Sequence, residues 1–331
     1  MAPKGYRFMI KLPTPTQFAG TFYKRLSRIA CSSLMLLAIA APLPAVDMLY
    51  VTLTNNTIVT YDTTGNIGST IAATKSVFTS SNLFNPQGLA FDSSGNLYAA
   101  NYSNNSISKF NSSGAYVSNI TTNLNGTQSL TFDSSGNLYA VNTNNDTISK
   151  FNAAGTFLSQ INSNLDGPAG LAFDSSGNLY ASNVNDNTIS KFDASGGYIS
   201  NITSNLVSPI GLAFDSTGNL YAGNYFGNTI SKFNASGGFL SSIGSNSNLN
   251  GPKGLAFDSS GNLYAANYNN NSISKFNSAG TFLTSWSTGS AIPNYLAFKP
   301  VTVPEPSTYA LATIATGVMA YLARRRKART A

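Results

Sequence analysis

Gly88-Leu89-Ala90-Phe91-Asp92-Ser93-Ser94-Gly95-Asn96-Leu97-Tyr98-Ala99, followed by Asn104-Asn105 and by Ile107-Ser108-Lys109-Phe110, is one copy of a unit written repeatedly along this chain. Its aspartate returns as Asp133, Asp174, Asp215 and Asp258, at spacings of 41, 41, 41 and 43 residues. Each copy reads as four short strands. In the quoted copy, strand a is Gly88 to Phe91. Asp92-Ser93-Ser94-Gly95 then turns the chain, with Gly95 suited to the left-handed position of a type I turn plus bulge. Strand b is Asn96 to Asn101, an Asn-rich loop follows, and strand c is Ile107 to Phe110. Asn111-Ser112-Ser113-Gly114 leads into strand d near Tyr116 to Ile120. Turn residues every ~8–12 positions between β-branched and aromatic runs mark short strands. A period of about 40 residues with four strands per copy predicts the blade of a β-propeller.

The Leu-x-Phe centre of strand a occurs six times, the last as Leu296–Phe298, with no strand b, c or d behind it. Conversely, Leu49-Tyr50-Val51, Ile58 to Tyr61 and the stretch near Ile71 read as strands b, c and d with no strand a before them. Asn294 to Phe298 is therefore predicted to complete the blade begun at Met48. The result is one all-β domain over 46–300, a six-bladed β-propeller of four-stranded blades whose closure leaves no open edge in the ring. In five units the Asp of the a–b turn is followed 17 residues later by a Lys: Asp92/Lys109, Asp133/Lys150, Asp174/Lys191, Asp215/Lys232 and Asp258/Lys275. In the split blade the two positions become Lys299 and Thr60, so both partners change together. The five pairs are expected in contact, as partly exposed structural ion pairs worth up to ~1 kcal/mol each. The near-identity of the copies favours a symmetric scaffold over a tailored pocket.

The two ends read as addresses. Lys24, Arg25 and Arg28 precede an apolar run from Ile29 to Ala41, with candidate cleavage sites at Ala38-Ile39-Ala40 and Pro44-Ala45. Residues 1–45 are thus predicted to be a signal peptide with an extended front, a signal peptidase substrate. Cys31 is the only cysteine and lies in that segment, so the mature protein is expected to have no disulfide. Over 301–331, Pro304-Glu305-Pro306 comes before a mostly apolar stretch from Tyr309 to Leu322 and the cluster Arg324-Arg325-Arg326-Lys327. Physically this is a short hydrophobic helix, slightly short for a permanent span, with a basic end that stays cytoplasmic. The three parts in order resemble the PEP-CTERM sorting signal. That resemblance implies Gram-negative export, transient inner-membrane anchoring through the C-terminal helix, processing by an exosortase, and a final place at the cell surface or in the extracellular matrix, often beside extracellular polysaccharide.

The chain carries a net charge of +7, yet its basic groups crowd into the terminal segments. Residues 47–300 hold eight lysines and eleven aspartates, a net of −3. The charge therefore gives no warrant for a nucleic-acid partner, which needs a basic patch on the folded domain. The chain has no histidine, and its one glutamate is Glu305. A histidine general base or a histidine-ligated zinc is excluded by composition. Neither a cofactor nor a metal is expected. Asp146, Asp166 and Asp186 are carboxylates that a calcium site would need, but they do not recur at one blade position. The Asp-Ser-Ser-Gly-Asn turn is explained by turn chemistry.

The unit also resembles the NHL repeat, through Gly88-Leu89-Ala90-Phe91-Asp92, Gly95-Asn96-Leu97-Tyr98-Ala99, Asn104-Asn105 and Ile107. That family usually forms six blades. Family members often carry Asp at the end of strand b and Arg after the Asn-Asn pair; here Asn and Ser or Thr stand there. These departures weaken any carry-over from the family's RNA-binding members, whose surface is basic. Related six-bladed propellers include lactonases and lyases that use His, Glu or Asp with a divalent metal, so one alternative is such an enzyme working through aspartates. Another is a purely structural matrix protein. The reading favoured is a non-enzymatic, exported propeller that binds polysaccharide or a surface protein. The face carrying the b–c loops and d–a linkers supplies the candidate ligand contacts: Asn101, Tyr102, Asn142, Asn183, Asn224, Tyr225, Asn267 and Tyr268, with Phe226 beside them. Gln87, Gln128, Lys253 and Asn294 are expected near the channel mouth. Asn amides suit sugar hydroxyls and Tyr rings suit apolar sugar faces; alternatively, each Asn caps its own loop and the rings pack between blades.

Overall fold

The computed structural model describes residues 47–63, 75–244 and 248–299. They form six four-stranded antiparallel sheets. The inner strands are Pro86–Phe91 (β4), Thr127–Phe132 (β8), Pro168–Phe173 (β12), Pro209–Phe214 (β16), Pro252–Phe257 (β20) and Pro293–Phe298 (β24). Each adjoins the inner strand of the next blade, and β24 adjoins both β20 and β4, so the ring is closed. Blade 1 is the split one. In it β24 pairs with Met48–Leu53 (β1), which pairs with Thr57–Asp62 (β2) and then Lys75–Thr79 (β3). The closing register sets Leu49 against Phe298, Tyr50 against Ala297 and Val51 against Leu296. The outer strand of this blade is thus Lys75–Thr79; Ile71 lies outside the described residues, as do residues 1–45 and 301–331.

The quoted repeat explains the packing. Its Tyr on the second strand meets the Phe of the next blade's inner strand edge-to-face, in all six interfaces: Tyr50–Phe91, Tyr98–Phe132, Tyr139–Phe173, Tyr180–Phe214, Tyr221–Phe257 and Tyr264–Phe298, with ring centroids 4.9–5.1 Å apart. Such pairs contribute ~0.5–1.5 kcal/mol each beyond area burial. In blades 2–6 a lysine of the third strand covers the same Tyr ring, as Lys109 does at 5.0 Å from the Tyr98 centroid. That lysine reaches the turn aspartate at 3.4–3.6 Å, so the five sequence-predicted ion pairs form. The aspartate is held mainly by its own turn. Asp92 Oδ1 accepts from the Ser94 and Asn96 backbone N–H groups, and Oδ2 accepts from Asn96 Nδ2 at 2.8 Å. At Asp215, burial alone would raise the pKa, but hydrogen bonds from Asn219 and Thr217 outweigh it and bring the carboxyl down to about 2. In the split blade Thr60 hydrogen-bonds Ser76 through their hydroxyls at 2.6 Å, so its third strand has no charge to satisfy there.

Phe298 therefore bears on the ring as any other inner-strand Phe does. Phe298→Ala is expected to lower the urea-unfolding free energy by roughly 2–3 kcal/mol, matching Phe173→Ala. A neutral F298A beside a destabilising F173A would mean that the C-terminal strand does not close the ring.

Candidate functional site

One face of the ring carries the b–c loops and the linkers into the inner strands; the Asp-Ser-Ser-Gly turns lie on the other. Asn101, Asn142, Asn183, Asn224 and Asn267 stand on this face but are buried, at 0–1% exposure. Asn101 Nδ2 donates to Ser106 Oγ at 3.1 Å and Ser108 Oγ at 2.9 Å, while its Oδ1 accepts from the Phe84 backbone N–H at 3.0 Å. The set repeats at Asn142, Asn183, Asn224 and Asn267. These amides clip the second strand, the third strand and the incoming linker together. Their place as ligand contacts is corrected: a buried amide whose donors and acceptor are already matched has nothing to offer a sugar without leaving partners unsatisfied.

A second set joins neighbouring blades. Asn105, Asp146, Asn187 and Asn228 adopt left-handed backbone conformations, which Asn and Asp tolerate. Their Oδ1 atoms accept from the backbone N–H of Gly126, Gly167, Ser208 and Gly251 in the following linker, at 2.6–2.8 Å. Asp146 is thus part of a clip. Asp166 Oδ1 accepts from Asn185 Nδ2 at 2.9 Å, and Asp186 Oδ1 accepts from the Thr188 backbone and hydroxyl. Each of the three aspartates serves a loop. The tyrosines are half-buried. Tyr102 donates its hydroxyl to Asn144 Oδ1 and Tyr225 to Asn269 Oδ1, each at 3.0 Å on the next blade. Tyr268 stacks edge-on against Tyr225, and Tyr225 against Phe226.

The blades cease to be alike at the mouth of the channel. The register at the start of the inner strand slips by a bulge, as between Pro86 and Leu89, which re-aims the second residue. Those second residues are Gln87, Gln128, Ala169, Ile210, Lys253 and Asn294. Lys253 Nζ donates to Gln87 Oε1 at 2.6 Å and to Asn294 Oδ1 at 3.0 Å, linking blades 6, 1 and 2. It also lies over Tyr268 at 4.9 Å and Tyr295 at 5.9 Å. Asn294 Nδ2 donates to the Pro86 carbonyl at 3.0 Å, which fixes its oxygen toward the lysine. Among the described residues Lys253 forms no ion pair, and desolvation lowers its pKa from 10.5 to about 8.

Below it the channel is crossed. The third residue of four inner strands is glycine, and a Cβ on Gly170 would collide with the Ile210 carbonyl of the next blade. Blade 1 carries Tyr295 there. Its hydroxyl donates to the Ala169 carbonyl at 3.1 Å, on the blade three places away in the ring, and it packs against Ala169 and Ile210. Burial holds this phenol above the usual tyrosine range, so it stays a neutral donor. Around the mouth, one linker position reads Phe84, Asn125, Asp166, Val207 and Asn250 in successive blades. Phe84 and Val207 are exposed, and Phe226 is 71% exposed. The face thus has two halves. An arc from blade 5 through blades 6 and 1 to blade 2 carries Val207, Phe226, Tyr268, Lys253 and Phe84. The other, over blades 3 and 4, carries Asp146, Asp166 and Asp186. Gln87, Lys253 and Asn294 meet where the sequence placed them; Phe84, Val207 and the role of Tyr295 were missed, although each is a departure from the repeat.

An ammonium desolvated without a carboxylate destabilises the fold while it is charged. The penalty is present below pH 8 and fades as pH rises from about 8 toward 10.5, because the folded protein then releases the proton before the unfolded chain does. Lys253→Met is therefore expected to be equally stable or up to about 2 kcal/mol more stable than the parent at pH 6. That gap should close in thermal unfolding at pH 9.5. A marked loss of stability at pH 6 would mean that the amine is a structural partner.

Residues 249–276, which span blade 6 from Leu249 to Phe276, match the NHL repeat, and residues 302–327 match the PEP-CTERM protein-sorting motif. No curated protein matches the chain. Among solved structures, a chain of a nidogen/laminin complex superposes with a TM-score of 0.66 at 19% identity, covering 77% of this chain and 98% of that one. Virginiamycin B lyase from Staphylococcus aureus superposes with a TM-score of 0.57 at 14% identity, over 72% of this chain and 80% of the lyase. A catalytically inactive histidine-to-alanine variant of that lyase, with quinupristin, gives 0.58 at 14% identity, over 78% and 94%. At these identities the likeness establishes the fold alone. Among the described residues no helix is long and apolar enough to cross a membrane, and the Tyr309–Leu322 segment lies outside them. The sorting motif implies an exported protein processed by an exosortase, and the described residues form a six-bladed β-propeller of which one blade matches the NHL repeat.

Proposed function

We propose that this is a non-enzymatic propeller that binds polysaccharide at the bacterial surface or in the extracellular matrix, through the arc of blades 5, 6, 1 and 2 at the channel mouth. The observation that carries this reading is where the repeat breaks: exposed Phe84, Val207 and Phe226 and the Lys253–Gln87–Asn294 group fall on that arc. Aromatic side chains spaced around a rim suit an extended polymer. Each offers an apolar face to a sugar ring, and the amides and hydroxyls between them match sugar hydroxyls. Chemistry of the lyase kind is disfavoured by composition. Replacing a histidine inactivates the Staphylococcus aureus lyase, and this chain has no histidine to place there. Aspartates on the same face are engaged in loop hydrogen bonds.

The reading is tested by a glycan-array and extracellular-polysaccharide binding screen of the purified exported protein. Saturable binding is expected, weakened roughly fivefold to tenfold by Phe226→Ala, as loss of one stacked ring should do. A blank screen from folded protein, or binding that F226A leaves unchanged, would overturn it.

A further inference from the structure

Lys253 differs from the five lysines that recur on the third strands. Lys109, Lys150, Lys191, Lys232 and Lys275 each face an aspartate. Lys253 is met instead by two neutral carbonyl oxygens and two aromatic faces. An ammonium has three N–H donors. Two are used by Gln87 and Asn294, and the third has no hydrogen-bond acceptor among the described residues. The lysine is half-buried, so solvent still reaches it. Gln87 and Asn294 are held in turn by Asn85 Oδ1 and the Pro86 carbonyl, so the amine is aimed by a fixed frame. Its third N–H is left for water or for an acceptor from outside, and a carboxylate is a stronger acceptor there than water.

We propose that Lys253 is a carboxylate-recognition group, and that the polymer bound at the mouth is an acidic polysaccharide bearing uronic acids. This rests on the binding face argued above and names its ligand class. The carboxylate accepts from the Lys253 ammonium while the sugar rings lie against Phe226 on one side and Phe84 on the other. The opposite half of the face supports the assignment. Asp146, Asp166 and Asp186 place negative charge over blades 3 and 4, which repels an anionic chain there and confines it to the arc around Lys253. A protein partner with an acidic side chain would supply the same carboxylate; the aromatic rim favours the sugar.

Calorimetric titration of the exported protein at low salt decides the matter, with three probes: an oligogalacturonate, its methyl ester and an oligoglutamate of similar charge. The acid is expected to bind about tenfold or more tightly than the ester, the usual advantage of a charge-assisted hydrogen bond. Lys253→Gln should remove that preference, so that acid and ester bind alike, and Lys253→Arg should keep it. Equal binding of acid and ester, or a preference that survives K253Q, would overturn the assignment while leaving a neutral-polymer face intact. Oligoglutamate binding as tight as the uronate and insensitive to Phe226→Ala would overturn it in favour of a protein. No binding of any probe, together with a blank glycan screen, would remove the binding face itself.

Discussion

One contact governs this molecule: a tyrosine on the second strand of each blade lies edge-on against a phenylalanine on the inner strand of the next. It is made six times, and the sixth depends on a strand that arrives from the far end of the domain, through Tyr264 and Phe298. In blades 2–6 the same tyrosine is covered by the lysine of its own blade, which is held by the turn aspartate. A single residue thus links intra-blade charge, turn geometry and inter-blade packing. Because a ring of six must close, the interfaces are held to one geometry, and departures from the repeat carry the information about function.

The asparagines belong to the closed ring as well. Two side-chain sets, one of asparagines at the end of the second strand and one of asparagines and Asp146 in left-handed turns, tie loops to linkers within and between blades. The first uses a short side chain that carries donors and an acceptor; the second uses an acceptor oxygen on a residue that tolerates positive φ. An Asn-rich surface therefore arises from loop construction before any ligand is considered.

Much of this was legible in the sequence. The period, the turn glycines and the orphan Leu-x-Phe at 296–298 predict six blades and the split one. The recurring Asp and Lys 17 residues apart predict which residues meet. The site was less legible, for physical reasons. Whether Asn101 faces solvent or the third strand depends on the register of that strand with Ser106 and Ser108, which spacing alone does not fix. Lys253 is one lysine among several in the chain. Its lack of a carboxylate emerges only when the ring brings Gln87 and Asn294, 166 and 41 residues away, to its side. Tyr295 occupies a glycine position in the repeat, and its path to Ala169 exists only across a closed channel. The fold tolerates an ammonium without a carboxylate above this plug.

Hydrogen–deuterium exchange of the exported protein, with and without the extracellular polysaccharide of the producing cells, tests most directly the claim that the symmetry-broken arc is the working surface. Slower exchange is predicted in the segments around Phe84–Gln87, Tyr225–Gly227 and Gly251–Gly254, with the loops around Asn144–Asp146 and Asn185–Asn187 unchanged. Protection centred on those blade 3 and 4 loops, or on the Asp-Ser-Ser-Gly turns of the opposite face, would contradict it.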